Sequence, residues 1–142
     1  MTLNKARFTL LDHTADMGIR VTGPTLSHLF ENAAQSLMQI MIKERPAANT
    51  SVLRLSVSGE DLSDLMVRWL GEIHYLLEGD NTVVMDIDID SITETRVEAT
   101  LHVVSFNPEQ HEVVTEIKAV TYHQIEVARR GNSWQATVIF DL

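Results

Sequence analysis

The period of the apolar residues changes near position 80, and this change limits the possible folds more than any other feature of the sequence. Two earlier segments repeat apolar residues every three or four positions, which is typical of one helix face. One helix is predicted over 26–41 and a second from a cap at Asp61 to Gly79. After residue 82 the alternation of apolar and polar residues predicts half-buried strands. The patterns predict a single α+β domain over 1–142, in which two helices pack on one face of a mostly antiparallel sheet of about six to seven strands.

The last predicted strand matters most for function. It covers 134–141, and a turn at 130–132 joins it to a preceding strand over 119–127. Side chains in a strand alternate between the two sheet faces, so Trp134 and Phe140 share one face. Asp141 is expected on the opposite face. Other short strands are predicted on both sides of 13–16 and over 51–58.

An acidic alternation at Asp86, Asp88 and Asp90 is similar to the start of a calcium-binding EF-hand loop. The sixth loop position is Ser91 instead of glycine, and the twelfth is Val97 instead of glutamate. The isoleucines between the aspartates also demand burial. These residues therefore predict the solvated face of a strand.

The charge and the residue types exclude several classes of function. Eleven Lys and Arg against twenty Asp and Glu give a formal net charge of −9, which disfavours unassisted nucleic-acid binding. The chain has no cysteine, which excludes a thiolate metal site and a cysteine nucleophile. It also has no signal-peptide pattern and no apolar run of membrane-spanning length, so a cytoplasmic protein is expected.

Catalytic motifs do not occur either. The six histidines form no HExxH motif, and no glycine-rich phosphate loop or GxSxG elbow is present. His28 and His74 lie outside the apolar helix stripes and are expected on the surface. What remains are the segment 12–16 between the first strands, which contains Asp12 and Asp16, and the terminus 140–142, where Asp141 adjoins the Leu142 carboxylate. Taken alone, Asp16 is expected to be a turn aspartate that bonds backbone amides. Carboxylates brought together favour a cation, so the sequence permits a site of oxygen ligands for a hard metal.

Six sequence blocks carry a resemblance to a known family. They are LLDHTADMGIRVTG at 10–23, TLSHLFENAAQSLM at 25–38, DLSDLMVRWLGEIHYL at 61–76, FNPEQHE at 106–112, EIKAVTYH at 116–123 and VIFDL at 138–142. The order and content of these blocks resemble the archease family along the whole chain. The resemblance implies an accessory protein, not an enzyme.

The implied partner is the cytoplasmic RNA ligase that joins 2′,3′-cyclic phosphate or 3′-phosphate ends to 5′-hydroxyl ends in tRNA splicing and RNA repair. In that family the accessory protein promotes attachment of GMP to the active-site histidine of the ligase and allows multiple turnover. RNA is then contacted only indirectly, through the ligase. No large extra apolar segment argues for an obligate dimer, so a monomer is expected.

The resemblance also implies a divalent metal site. Asp16, Asp141 and Leu142 correspond to the family's ligands for an ion that is calcium in crystals, with magnesium or manganese as alternatives. Asp12 and His13 are expected to support these ligands without binding the ion. Two hypotheses stay open for Lys118 and His123: they touch the partner, or they only hold the strand.

Two other functions remain as alternatives. One is a broader chaperone-like module for RNA-modifying enzymes. The other is a metal-dependent phosphoester hydrolase that uses Asp12, Asp16 and Asp141, with His13 as the base.

Overall fold

The computed structural model describes residues 7–11 and 16–142. It contains two helices and eight strands in an order that confirms the predicted α+β class. The elements are β1 (Phe8–Leu11), β2 (Asp16–Gly23), α1 (Leu26–Met41), β3 (Ser51–Ser58), α2 (Leu62–Glu78), β4 (Thr82–Ile92), β5 (Arg96–Ser105), β6 (Ala119–Val120), β7 (Glu126–Arg130) and β8 (Ser133–Asp141). All the strand pairs are antiparallel.

The strands form two sheets, where the sequence predicted one. A five-stranded sheet has the order β1-β2-β8-β6, and β7 also pairs with β8. A three-stranded sheet has the order β3-β5-β4. The outer edge of β4 is closed by side chains: the Arg45 guanidinium donates to the Val84 carbonyl at 2.7 Å, and the Glu31 carboxylate accepts from the Ile89 amide. These two contacts satisfy backbone groups along part of the β4 edge, and among the described residues β3, β4 and β5 pair only with one another.

The predicted strand over 119–127 is divided into β6 and β7. Gln124 has a φ of 53°, which is in the left-handed region that a strand cannot accommodate. The Ile125 amide donates to the Tyr122 carbonyl at 3.3 Å and closes a turn. β6 and β7 therefore pair with the same side of β8, at its end and its beginning respectively.

Both helices begin with a side-chain cap, and the cap at Asp61 was predicted. The Thr25 hydroxyl accepts from the His28 amide at the start of α1, and the Asp61 carboxylate accepts from the Asp64 amide at the start of α2. The second helix ends at Gly79, as predicted. Among the described residues, no helix is long and apolar enough to span a membrane.

The core lies where the two helices cover the apolar faces of both sheets. α1 packs on β2, β8 and β4, and α2 contacts strands of both sheets as well. Phe30 and Trp69 are fully buried between the helices, and the Trp69 indole donates to the Phe30 carbonyl at 3.0 Å. The aspartates at 86, 88 and 90 are exposed on the far face of β4, which confirms the predicted solvated strand face. There His102 contacts the Asp88 carboxylate at 3.2 Å.

Candidate functional site

The two predicted acidic ligands lie directly opposite each other. Asp16 begins β2, Asp141 ends β8, and the two residues are register partners in the antiparallel pair. Directly opposite side chains have Cβ atoms about 4.5–5.5 Å apart, and like charges at such positions destabilise a sheet. The fold thus brings together two carboxylates that are 125 positions apart in sequence.

These carboxylates project from the sheet face that the helices do not cover. Met17 and Phe140, the neighbouring register partners, turn toward the core, and Phe140 is fully buried. Asp16 and Asp141 must point the other way, because successive side chains alternate. Asp141 is exposed, whereas Asp16 is half-buried and its Oδ1 atom is inaccessible to solvent. The predicted parity of the last strand is confirmed.

A lysine-bearing segment runs along the other side of Asp141. Ala119 is the register partner of Asp141 within β6, and the Lys118 amide donates to the Asp141 carbonyl at 2.8 Å. Lys118 itself is exposed. The structure therefore brings a cationic side chain to the same sheet end as the acidic pair.

The other candidate residues are placed differently. His123 is exposed in the turn between β6 and β7, where its amide donates to the Thr121 hydroxyl at 3.2 Å. It is four residues beyond the register partner of Asp141, so it is not part of the acidic sheet end. Leu142 follows Asp141 directly and is 43% exposed. Asp12 and His13 lie outside the described residues.

Two contacts from α2 to the lysine-bearing segment were not predicted. The Tyr122 hydroxyl donates to the Asp64 carboxylate at 2.6 Å, and His74 Nε2 lies 2.6 Å from the Ile117 carbonyl. A carbonyl can only accept, so Nε2 carries the proton. The prediction that His74 is a plain surface residue is wrong, because its ring is half-buried in this contact. The Thr-Tyr-His run at 121–123 has no sequence pattern that identifies a partner on a helix.

The electrostatics of the Tyr122 contact depend on one ionised carboxylate. Hydrogen bonds from the Tyr122 hydroxyl, the Glu60 amide and the Arg68 guanidinium lower the pKa of Asp64 to about 2. Arg68 Nε reaches both carboxylate oxygens, at 3.0 and 2.9 Å. The same contact with Asp64 raises the pKa of Tyr122, so the hydroxyl keeps its proton at neutral pH.

The donors at the acidic sheet end suit a hard cation by type. Ca²⁺, Mg²⁺ and Mn²⁺ prefer carboxylate and carbonyl oxygens. In residues 7–11 and 16–142, no three His, Cys, Asp or Glu side chains converge as metal ligands. Asp16 and Asp141 thus supply two side-chain donors, and the predicted site requires the Leu142 α-carboxylate as a third.

The family model described as the Archease protein family matches residues 8–142. The chain belongs to the archease family. The archease of Methanosarcina acetivorans is 34% identical over 140 residues, which cover 96% of each chain. The archease of Pyrococcus furiosus is 33% identical over 137 residues, which cover 92% of this chain and 95% of the relative.

Solved structures agree with this assignment. Protein 1598 of Methanobacterium thermoautotrophicum, known from a solution structure, has a TM-score of 0.73 to this chain. It is 28% identical and the match covers 95% of this chain and 98% of that one. The crystal structure of an archease from Thermotoga maritima, described as a possible chaperone, has a TM-score of 0.63 with 93% and 94% coverage. That protein is 23% identical, so it supports the fold alone.

Proposed function

We propose that this archease is a non-catalytic activator of a GTP-dependent RNA ligase that joins 3′-phosphate or 2′,3′-cyclic phosphate ends to 5′-hydroxyl ends. The observation that carries the proposal is the direct pairing of Asp16 with Asp141 on the face of the five-stranded sheet that the helices do not cover. A fold gains no stability from two opposed carboxylates. A ligand that neutralises them would explain their presence at one sheet end.

A divalent cation is the proposed ligand. Asp16, Asp141 and the Leu142 carboxylate would hold it, and when bound it would neutralise their charge and offer further coordination positions to oxygen atoms of a partner. Calcium, magnesium and manganese all match the donor chemistry. The ion therefore links the acidic sheet end to the active site of the ligase in this proposal.

The overall charge favours a protein partner over RNA. A chain of net charge −9 is repelled by phosphate groups and attracted to the basic surface that an RNA-handling enzyme must present. Contact with RNA is then indirect, through the ligase. Lys118, just before β6, supplies a charge of opposite sign near Asp141, where it can pair with an acidic group of the partner.

The experiment is a multiple-turnover ligation assay with the ligase of the same organism, GTP and Mn²⁺. We expect many turnovers with the wild type and about one without it. Asp16→Asn and Asp141→Asn should behave like the reaction without archease, because each removes a ligand charge with little change of size. Asp88→Asn is the matched control, since Asp88 is an exposed strand aspartate on the other sheet. Full stimulation by both site variants would overturn the proposal.

A broader chaperone role is the second candidate, favoured by the description of the Thermotoga maritima relative as a possible chaperone. It predicts suppression of aggregation of unrelated client proteins with no dependence on Asp16. The hydrolase hypothesis stays a prediction. It requires turnover of a phosphoester by the isolated protein that is lost in Asp16→Asn.

A further inference from the structure

Helix α2 makes a contact with each end of the segment 117–122. Near the start of the helix, the Asp64 carboxylate accepts a hydrogen bond from the Tyr122 hydroxyl at 2.6 Å. Near its end, His74 Nε2 donates to the Ile117 carbonyl at 2.6 Å. The helix and the segment run in opposite directions, so the two contacts act on the two ends of one short stretch of chain.

The distance between the two helix anchors matches the length of the extended segment. Asp64 and His74 are ten residues apart, which corresponds to about 15 Å along a helix at 1.5 Å per residue. Ile117 and Tyr122 are five residues apart, which corresponds to about 16–17 Å in a strand. The spacing of the two helix contacts is therefore compatible with an extended segment.

This extended segment needs external support. Within it, β6 is only two residues long, and such a short strand is not stable by its own pairing. Its remaining bonds to β8 are those of the Lys118 amide to the Asp141 carbonyl and of the Thr121 amide and hydroxyl to the Ile139 carbonyl, at 2.8, 3.0 and 2.8 Å. The helix contacts lie just outside these bonds at either end.

We propose that Tyr122 and His74 are positioning residues, which hold the segment 117–122 extended and thereby fix Lys118 beside the acidic pair Asp16 and Asp141. Neither side chain is required to contact the ligase. The inference rests on the proposed function for its biological meaning, but its physical content concerns the archease alone.

The Asp64 contact is suited to hold the Tyr122 end of the segment in place. The Glu60 amide at 2.8 Å and the Arg68 guanidinium fix the carboxylate on the helix, so it does not need to be ordered when Tyr122 binds. Its charge also strengthens the short bond from the hydroxyl. Because Asp64 stays ionised down to strongly acidic pH, the contact persists throughout the physiological range.

The first test measures amide hydrogen exchange by NMR in the isolated protein. Tyr122→Phe removes one hydroxyl and should speed exchange of the Lys118 and Thr121 amides by about three- to tenfold, since local opening becomes easier. The Leu65 amide, bonded to the Asp61 carbonyl within α2, should not change. Tyr75→Phe is the control, because Tyr75 also lies on the surface and is equally exposed at 56%. Unchanged exchange at Lys118 and Thr121 in Tyr122→Phe would overturn the proposal.

His74 offers a test by rescue. His74→Leu removes the donor and should speed exchange at Lys118, whereas the amide of His74→Gln can again donate to the Ile117 carbonyl and should restore slow exchange. Equal exchange in the two variants would refute a positioning role for the imidazole N–H, because a general packing defect would not distinguish them in this way.

The ligation assay then connects the two proposals. A double-mutant cycle compares Tyr122→Phe, Asp64→Asn and the double variant. If Tyr122 acts through Asp64, each variant lowers turnover and the double variant is no worse than the more severe single one. Additive losses would mean that Tyr122 contacts the ligase directly, and would overturn the positioning role. Since the exchange experiments contain no ligase, a wrong functional proposal would leave their outcome unaffected.

Discussion

Replacing Asp141 by asparagine should stabilise the protein when no divalent cation is present. When calcium is bound, the same substitution should make the protein less stable than the wild type. Two unit charges about 5 Å apart repel by about 0.8 kcal/mol in bulk water and about 3 kcal/mol at an effective dielectric constant of 20. Asp141 is exposed to solvent, so the lower end applies. In the presence of EDTA, Asp141→Asn should therefore be more stable than the wild type by about 1 kcal/mol, or about 2–4 °C in Tm.

Calcium reverses this order if the acidic pair binds it. A ligand at 100 times its Kd stabilises the folded state by about 2.7 kcal/mol. The wild type should gain this amount on addition of CaCl₂, whereas the variant, with one ligand charge removed, should gain little. Urea unfolding followed by circular dichroism, in EDTA and in excess calcium, measures both effects in one experiment.

The control for this experiment is Asp88→Asn. Asp88 is also exposed on a strand, but its register partner is Thr100, so no carboxylate lies opposite it. This variant should respond to calcium as the wild type does. A lower stability of Asp141→Asn in EDTA would refute the argument from like charges. An undiminished calcium response of that variant would refute Asp141 as a ligand.

Four further predictions concern two glycines, His111 and the terminal carboxylate. Gly71→Ala should raise the free energy of unfolding by about 0.5–1 kcal/mol, which urea unfolding measures. Alanine is favoured over glycine within a helix, and a Cβ added at Gly71 meets nothing within 4 Å. Gly59→Ala should lower it, since the Cβ would lie 2.7 Å from the backbone nitrogen of Leu65; equal stability of the two variants would contradict the close approach. Burial of the His111 ring favours its neutral form and lowers its pKa below 6.5. The neutral ring therefore contributes its full stabilisation above pH 6.5, and this contribution is lost as the pH falls through the lowered pKa. The decrease in stability between pH 7.5 and 5.5 should be smaller in His111→Gln, and an equal decrease would exclude this ring as the cause. A tag after Leu142 should weaken calcium binding in calorimetry relative to an N-terminal tag, and equal affinities would count against the terminal carboxylate.

Local features of this fold could be predicted from the sequence because they depend on neighbouring residues. The helix caps Asp61 and Gly79, the bounds of β3 and the outward direction of Asp141 all follow from periodicity and from turn chemistry. The division into two sheets could not be predicted. It follows from strand pairings between residues far apart in sequence, and the local apolar patterns do not show which strands share a sheet.

The candidate site shows the same limit. Asp16 and Asp141 could be selected individually, but their exact opposition depends on the β2–β8 register, which joins the two ends of the chain. The contacts of His74 and Tyr122 with their partners are equally non-local. Histidine and tyrosine outside an apolar stripe are common surface residues, so their types carried no indication of these bonds.

We propose that the paired carboxylates of Asp16 and Asp141 allow the archease to activate its ligase. Transfer of radiolabelled GMP from GTP to the ligase after its first ligation cycle tests this, with wild type, Asp16→Asn, Asp141→Asn or Asp88→Asn. Wild type and Asp88→Asn should restore the labelled ligase, whereas the two site variants should leave it unlabelled. Labelling at the wild-type rate with Asp16→Asn and Asp141→Asn would contradict a role of the acidic pair in activation.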